Sequence, residues 1–323
     1  MKLFFHYYFR AVCFLFLAAK VFCQTPATEN KITYLDAAWA ETYSENYAYI
    51  RVVEDYYSDK KLYRVKDYYR SKTLQMIGNS SDRDTIIEEG QFIYYYENGN
   101  KQATVNYLNG KKTGKEFSWY ENGNVKSEIE YFENSDKRIR FKINNYWNSQ
   151  KEQKVTDGNG DYEYNDEGHF EQRGKVKNGL HDGIWKGKSS KQKYSFTEYY
   201  ENGKLVSGAS IDSLNVEHSY NVVTQFPSPK RGIESFYTYM EREMSTYIMD
   251  FDGLNGQKML VSFIVDKDGS LTKPKIIKGV HPMLNDKVMK IITQARKWNP
   301  GFERGIPIRV FYSLPLVLGQ STP

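Results

Sequence analysis

The four letters Tyr-Glu-Asn-Gly occur three times in this chain, at 96–99, 120–123 and 200–203. A recurring turn signal restricts the fold more than any other feature, because a lone hairpin cannot bury its apolar face and must stack on a neighbour. Between the first two copies lies a second turn, Asn109-Gly110-Lys111-Lys112-Thr113-Gly114, followed by the aromatic run Phe117-Ser118-Trp119-Tyr120. Each unit therefore holds two short strands. Asn-Gly is a strong hairpin signal because both residues tolerate the positive φ angles of a type I′ turn. The strand Ala103-Thr104-Val105-Asn106-Tyr107 alternates apolar and polar with period two, which predicts one face on a core and one in water.

Later units drift. Tyr164-Asn165-Asp166-Glu167-Gly168 reads as a degenerate copy of the first turn, and Asn178-Gly179-Leu180-His181-Asp182-Gly183-Ile184-Trp185 as a copy of the second turn with its aromatic strand. These stretches resemble the MORN-like repeats of the YwqK family over about residues 90–207. The resemblance implies an antiparallel β-meander or open β-solenoid. From Lys137 to Gln153 neither glycine-centred turn is present, which predicts a bend or pause in the array. Residues 24–89 read as a separate β-rich region with strands near Tyr47–Val53 and Lys61–Tyr69, and a loop is expected at Gly78–Asp82. With 28 Tyr and 18 Phe in the chain, aromatic-rich strands are expected throughout.

A linker is expected at 211–229, where Pro227 and Pro229 remove backbone donors. Beyond it, Ile233, Phe236, Tyr237, Met240 and Met244 fall on one face of a helix. A strand at Lys258–Val265, a turn at Asp266-Lys267-Asp268-Gly269 and a strand at Leu271–Lys278 form a hairpin. Leu284, Val288, Ile291, Ile292 and Ala295 then repeat at helical spacing after Pro282, which sits in the first turn where its missing donor does no harm. The helix must stop by Trp298-Asn299-Pro300-Gly301, and a last strand is expected from about Pro307 to Leu314. Trp298 is expected to pack the helix end on the sheet.

Four of these segments, Val261–Ser270, Gly279–Leu284, Lys297–Gly301 and Gly305–Val310, resemble the TonB C-terminal domain, over about residues 226–318. The resemblance implies a periplasmic αβ domain with a three-stranded antiparallel sheet and two helices, whose last strand is an edge able to accept a peptide from an outer-membrane receptor. An edge strand has unpaired N–H and C=O groups that suit strand addition. The binding residues so implied are Ile308, Arg309, Val310, Phe311, Tyr312, Ser313 and Leu314. One departure is visible: the stretch Tyr247–Asp252 lacks the Tyr-Pro that precedes the first strand in that family.

The expected fold is thus α+β, ordered as export segment 1–23, β-rich region 24–89, repeat meander 90–210, linker 211–229 and TonB-like domain 230–323. The export segment rests on Lys2 and Arg10, the apolar run Ala11–Ala19 and a cleavage site before Gln24. Nine helical residues rise only about 14 Å against a hydrocarbon core of roughly 30 Å. A rival reading keeps Leu3–Cys23 as an anchor, with Arg10 near its middle at a cost of about 2.5–3.5 kcal/mol. A lipidated Cys23 is a third, poorly matched by Lys20-Val21-Phe22. Both cysteines, Cys13 and Cys23, lie here, so the mature chain has no disulfide or thiol.

Loss of Lys2, Arg10 and Lys20 lowers the net charge from +5 to +2, and the remaining signs are interspersed, which removes the electrostatic case for nucleic acid. Asp266-x-Asp268-Gly269 lacks the other ligands of a calcium loop. His169, His181 and His281 stand singly, without metal-ligand spacing, and read as surface or capping residues. No nucleophile elbow, phosphate loop or zinc-protease motif is present, so no catalytic residue, metal or cofactor is expected. The expectation is an envelope interaction module that binds a protein partner by strand addition and meets the membrane only through partners or an uncleaved N-terminal segment. A TonB-class energy transducer for receptor-dependent transport is the alternative, although it needs an anchor and a long Pro-rich span, and nine prolines are too few. A glycan- or cell-wall-binding platform built on the repeats is the third reading.

Overall fold

A computed structural model describes residues 29–134, 139–248 and 256–318. The expected export segment, both cysteines and residues 249–252 of the departing stretch lie outside them. Seventeen strands make one sheet. They are β1 (Lys31–Leu35), β2 (Tyr49–Val53), β3 (Tyr63–Tyr69), β4 (Leu74–Ser80), β5 (Glu88–Tyr95), β6 (Lys101–Leu108), β7 (Lys111–Lys112), β8 (Gly114–Trp119) and β9 (Val125–Glu133). The rest are β10 (Ile139–Trp147), β11 (Gln153–Thr156), β12 (Asn159–Asp166), β13 (Phe170–Lys177), β14 (Leu180–Ser189), β15 (Tyr194–Glu201), β16 (Lys204–Ile211) and β17 (Glu217–Tyr220). Each pairs antiparallel with its sequence neighbours, β6 reaching both β7 and β8, so the sheet is a meander.

The repeated letters turn out to encode two different turns. In the first two copies the tyrosine amide donates to the residue four on (Tyr96 N to Asn100 O, 2.9 Å) and the glycine amide donates back to the tyrosine carbonyl (Gly99 N to Tyr96 O, 2.9 Å). Only the glycine takes positive φ there, 85° at Gly99 and 82° at Gly123. This is a type I turn closed by a G1 bulge, with the asparagine Oδ1 accepting from the following amide. The expected type I′ geometry, positive φ at both residues, holds at Asn109-Gly110, Asn178-Gly179 and Asn202-Gly203.

The motif tyrosine joins one unit to the next. Tyr96 OH donates to Trp119 O at 2.9 Å and Tyr120 OH to Trp147 O at 2.9 Å. Tyr69 OH does the same to Tyr95 O at 2.8 Å, from a turn in which Lys72 takes the glycine position at φ 68°. The β-rich region before residue 90 is therefore continuous in hydrogen bonding with the repeats. Of the bend or pause expected at Lys137–Gln153, residues 137–138 lie outside the described residues; beyond them the strand pairing does not pause, and β10 carries register shifts against β9 at Ile143/Asn145 and against β11 at Tyr146/Trp147. Asn148 N donates to Glu152 O and Lys151 N to Asn148 O, with Lys151 at φ 66° in the glycine position, so the turn forms without glycine. The hydrogen-bond frame defines this turn, and glycine only lowers the strain of its last residue.

Alternation along the strands assigns the inner face. In β15, Tyr194, Phe196, Glu198 and Tyr200 are buried while their neighbours are exposed. The inner faces build two apolar clusters, one around Val65, Met76 and Phe92, the other around Ile143, Val155, Tyr162, Val176 and Trp185. The meander also curls on itself, because Gly179 O accepts from Ile143 N of β10 at 2.9 Å and Gly179 N donates to Gly158 O at 2.8 Å. Trp185 is wholly buried and lies flat over Gly174, its cross-strand partner. Gly187 under Phe196 and Gly208 under Tyr220 repeat the arrangement.

His181 stacks on Trp185, ring centroids 3.5 Å apart, and is not the surface or capping residue its isolation suggested. His281 does stand at a helix N-cap, without a side-chain cap bond. Asp67, 1% exposed, accepts both arms of the cross-strand Arg51 guanidinium at 2.8 and 2.7 Å.

The second unit follows β18 (Thr224–Gln225). It comprises α1 (Gly232–Ile248), β19 (Lys258–Val265), β20 (Leu271–Lys278), α2 (Pro282–Gln294), β21 (Gly301–Glu303), β22 (Ile306–Ile308) and β23 (Val310–Val317). One sheet runs β20-β19-β23 and a smaller one β18-β21-β22. The expected helix faces are buried against the larger sheet: Phe236, Met240 and Met244 from α1, and Leu284, Val288, Ile291 and Ile292 from α2. Trp298, 1% exposed, meets Phe236, Phe263 and Tyr312 edge-on and so closes that core. Together the meander and the small sheet-and-helix unit make the α+β architecture expected.

Two stability measurements test this packing. A Cβ on Gly174 would lie 2.4 Å from the Trp185 ring. Gly174→Ala should therefore lower the unfolding free energy by about 1–3 kcal/mol, as for an overpacked core, and the denaturation midpoint with it. Burial pushes the His181 imidazole down to about 4, below its usual value near 6.5. Between those values the unfolded chain binds a proton that the folded chain refuses, so stability is complete above pH ~6.5 and falls as pH drops toward 4. The loss should approach about 3 kcal/mol, and His181→Gln should flatten the slope in pH-resolved melts.

Candidate functional site

The expected binding strand divides in two. Ile308 ends β22 and pairs with Gly301 in the small sheet, whereas Val310, Phe311, Tyr312, Ser313 and Leu314 belong to β23 in the larger one. The single strand expected from Pro307 to Leu314 is thus corrected. The chain changes sheets at Arg309, whose Nε lies 2.7 Å from Asp266 Oδ1 at the mouth of the β19–β20 turn.

β23 is a sheet margin. It pairs with β19 in eight consecutive steps from Lys258↔Val317 to Val265↔Val310, without a bulge, and no strand of the described residues pairs with its other side. Leu318 N donates to Gln257 O at 3.0 Å, so that position is bonded. Directly opposed antiparallel pairs alternate between bonded and non-bonded. Leu316, Leu314, Tyr312 and Val310 therefore turn their amides to β19, and Phe311, Ser313, Pro315 and Val317 turn theirs outward. Pro315, which has no N–H, stands where the missing donor costs the ladder nothing. The same residues present their side chains on the exposed sheet face, with Phe311 66% exposed. Tyr312 and Leu314 face the core.

The opposite margin of this sheet is blunted. β20 is bulged twice against β19, Lys273 takes φ 50°, Pro274 removes a donor, and Lys275 and Lys278 add charge. These are devices that discourage strand pairing. The β19–β20 turn itself is a plain one, with Gly269 N donating to Asp266 O at 2.8 Å.

A third constellation went unnoticed in the sequence. The turn between β21 and β22, Arg304-Gly305, enters the end of the repeat sheet. Arg304 Nε donates to Glu198 Oε1 at 2.9 Å, with the two side chains 8% and 1% exposed. Glu198 also accepts from Tyr220 OH at 2.8 Å and Tyr200 OH at 3.0 Å, so its carboxylate is well bonded. The guanidinium lies 3.9 Å over the Phe196 ring and donates to Tyr194 OH. On the backbone, Ser210 Oγ donates to Arg304 O at 2.7 Å and Arg304 N to Val223 O at 2.6 Å. Arg304 reaches this fit at φ 49°, a conformation unfavourable to a side-chain-bearing residue. The expected linker is pinned as well, since β18 pairs with β21 and Ser228 exchanges backbone bonds with Asn299. The available signal was parity: Glu198 sits at an inward position of a perfectly alternating strand, where a charge needs a partner.

Residues 253–317 match the family described as Gram-negative bacterial TonB protein C-terminal, and residues 88–109, 112–134 and 195–207 match the MORN repeat variant family. The chain thus carries a TonB C-terminal domain behind MORN-variant repeats. Domains of the TonB type generally mediate protein–protein interactions in the cell envelope. No curated protein matches the chain. No helix among the described residues is long and apolar enough to cross a membrane.

Removing one member of a buried ion pair costs about 3–5 kcal/mol, because the other is left charged and unpaired. Arg304→Met should therefore loosen the junction and expose 221–229 to limited proteolysis. The double variant Glu198→Gln/Arg304→Met should regain most of the protection.

Proposed function

We propose that the TonB-type domain binds an extended segment of a periplasmic or outer-membrane protein by strand addition along β23, and that the chain works by binding rather than catalysis. The observation that carries this reading is the contrast between the two margins of one sheet: β20 is bulged and charged, whereas β23 is regular and uncovered by any described strand. A segment laid along β23 meets outward amides at Phe311 and Ser313, and its side chains lie beside the exposed Phe311 ring. The energy-transducer reading is less well supported, since the residues before α1 pair with the small sheet instead of forming an extended span.

The register supplies the test. Ser313→Pro deletes an outward donor and spares the bonds to β19, whereas Leu314→Pro breaks the internal ladder. A photocrosslinker at Phe311 should trap an envelope protein in cells, and adding Ser313→Pro should reduce that product at least tenfold with the melting temperature almost unchanged. Undiminished trapping in the Ser313→Pro chain would rule out strand addition.

A further inference from the structure

We propose that the repeat sheet carries a second site, a groove that binds a saccharide chain bearing carboxylate or phosphate groups, with Lys126, Arg173 and Lys186 receiving the anions. The site is independent of β23. It lies on a cavity of about 500 Å³ that also takes in Tyr120, Tyr146 and Tyr164. A second cavity, of about 470 Å³, shares Tyr146, Glu163, Arg173 and Lys186 with the first. Arg173 and Lys186 thus stand at a seam between two openings, which suits a chain-like ligand better than a compact one.

The charge of this groove points to the ligand. Arg173 is the direct cross-strand partner of Lys186 on β14, a like-charge pairing, and of Glu163 on β12, so one carboxylate is set against two cations. Neither has an ion-pair partner within 4 Å among the described residues, although Glu163 and Glu171 line the same cavity. Glu171 is taken up by Lys188 at 3.1 Å, whereas Glu163, which accepts from Tyr146 OH at 3.0 Å, keeps its charge opposite Arg173. Lys126 is the third cation. It is half-buried, its ammonium 5.4 Å above the Tyr120 ring, and burial lowers its pKa while Asp166, beyond ion-pair distance, only partly opposes the shift. Three cations from three strands therefore line one groove in which Glu163 is the one acid of the lining that is not in an ion pair among the described residues, which leaves the groove net positive.

Around them the lining is aromatic and amide-bearing rather than aliphatic. Tyr164, 38% exposed, stands with Asn165 and Gln172. Ring faces beside polar rims fit the stacking and hydroxyl bonding of a sugar, and a guanidinium holds a carboxylate or phosphate through paired donors.

Direct binding of the full-length chain separates the possibilities, using polygalacturonate, a phosphorylated mannan, neutral dextran and polyglutamate as probes. Retention of either anionic polysaccharide, weakened at least tenfold in Arg173→Ser/Lys186→Ser and unchanged in Ser313→Pro, is the expected result. Which of the two binds identifies the anion. Both side chains are exposed and neither stands in an ion pair among the described residues, so the double variant should melt close to the parent and lost binding would not reflect unfolding. Equal retention by the variant, failure to retain either anionic polysaccharide, equal retention of dextran, or polyglutamate binding as tightly as the sugars would overturn the assignment.

Discussion

The margin of a β-sheet leaves a row of backbone donors and acceptors unmade, and the architecture of this chain follows from how each margin is handled. A meander has two margins, at its first and last strands. At the first, the loop after β1 folds back, with Thr42 N donating to Tyr34 O and Leu35 bridging Glu41. At the last, the β21–β22 turn closes on β17 so tightly that a Cβ on Gly305 would lie 3.1 Å from His218 Cβ and 3.3 Å from Ser219 O. The TonB-type domain thus serves as the cap that a stacked array needs at its end.

That cap is held by charge in a place where apolar packing would have sufficed for stability. A buried ion pair contributes little net free energy once desolvation is counted, but it penalises every docking in which the partners miss. Glu198 can be satisfied only when Arg304 arrives over Phe196 with Tyr200 and Tyr220 in place. Arg51 and Asp67 stand in the same relation within the meander, where they hold β2 and β3 in one register. The positive φ of Arg304 belongs to this logic, since the surroundings must fix a conformation that the residue alone disfavours.

Much of this was legible from local pattern. Period-two alternation located the strands of the repeats, helical spacing gave the buried faces of α1 and α2, and the turn signals at 96–99, 109–110 and 266–269 fell where turns form. What escaped was structure whose cause lies outside the local window. Lys72 and Lys151 occupy glycine positions because a frame of backbone bonds is strong enough to impose their φ, so a search for Asn-Gly passes over both turns. The β21–β22 hairpin turns on Arg304-Gly305, chosen for a carboxylate 106 residues away and not for turn propensity. The break at Arg309 is equally non-local, because the strand it interrupts belongs to two sheets with different neighbours.

The geometry of β23 also constrains the kind of binding it can support. Outward amides come at every second residue, and Pro315 removes one of them, so a segment added as proposed would find donors at Phe311 and Ser313 before the row is interrupted. Backbone bonds of this sort contribute about 1 kcal/mol each in net terms, too little for tight association across so short a window. Discrimination among such segments would then come from side chains that pack beside the Phe311 ring on the outer face, the largest exposed apolar group of that strand. A short window with one aromatic anchor favours a partner that engages and releases quickly. The capped array behind it holds that window in one orientation, because the junction at Glu198 gives the domain a single seat.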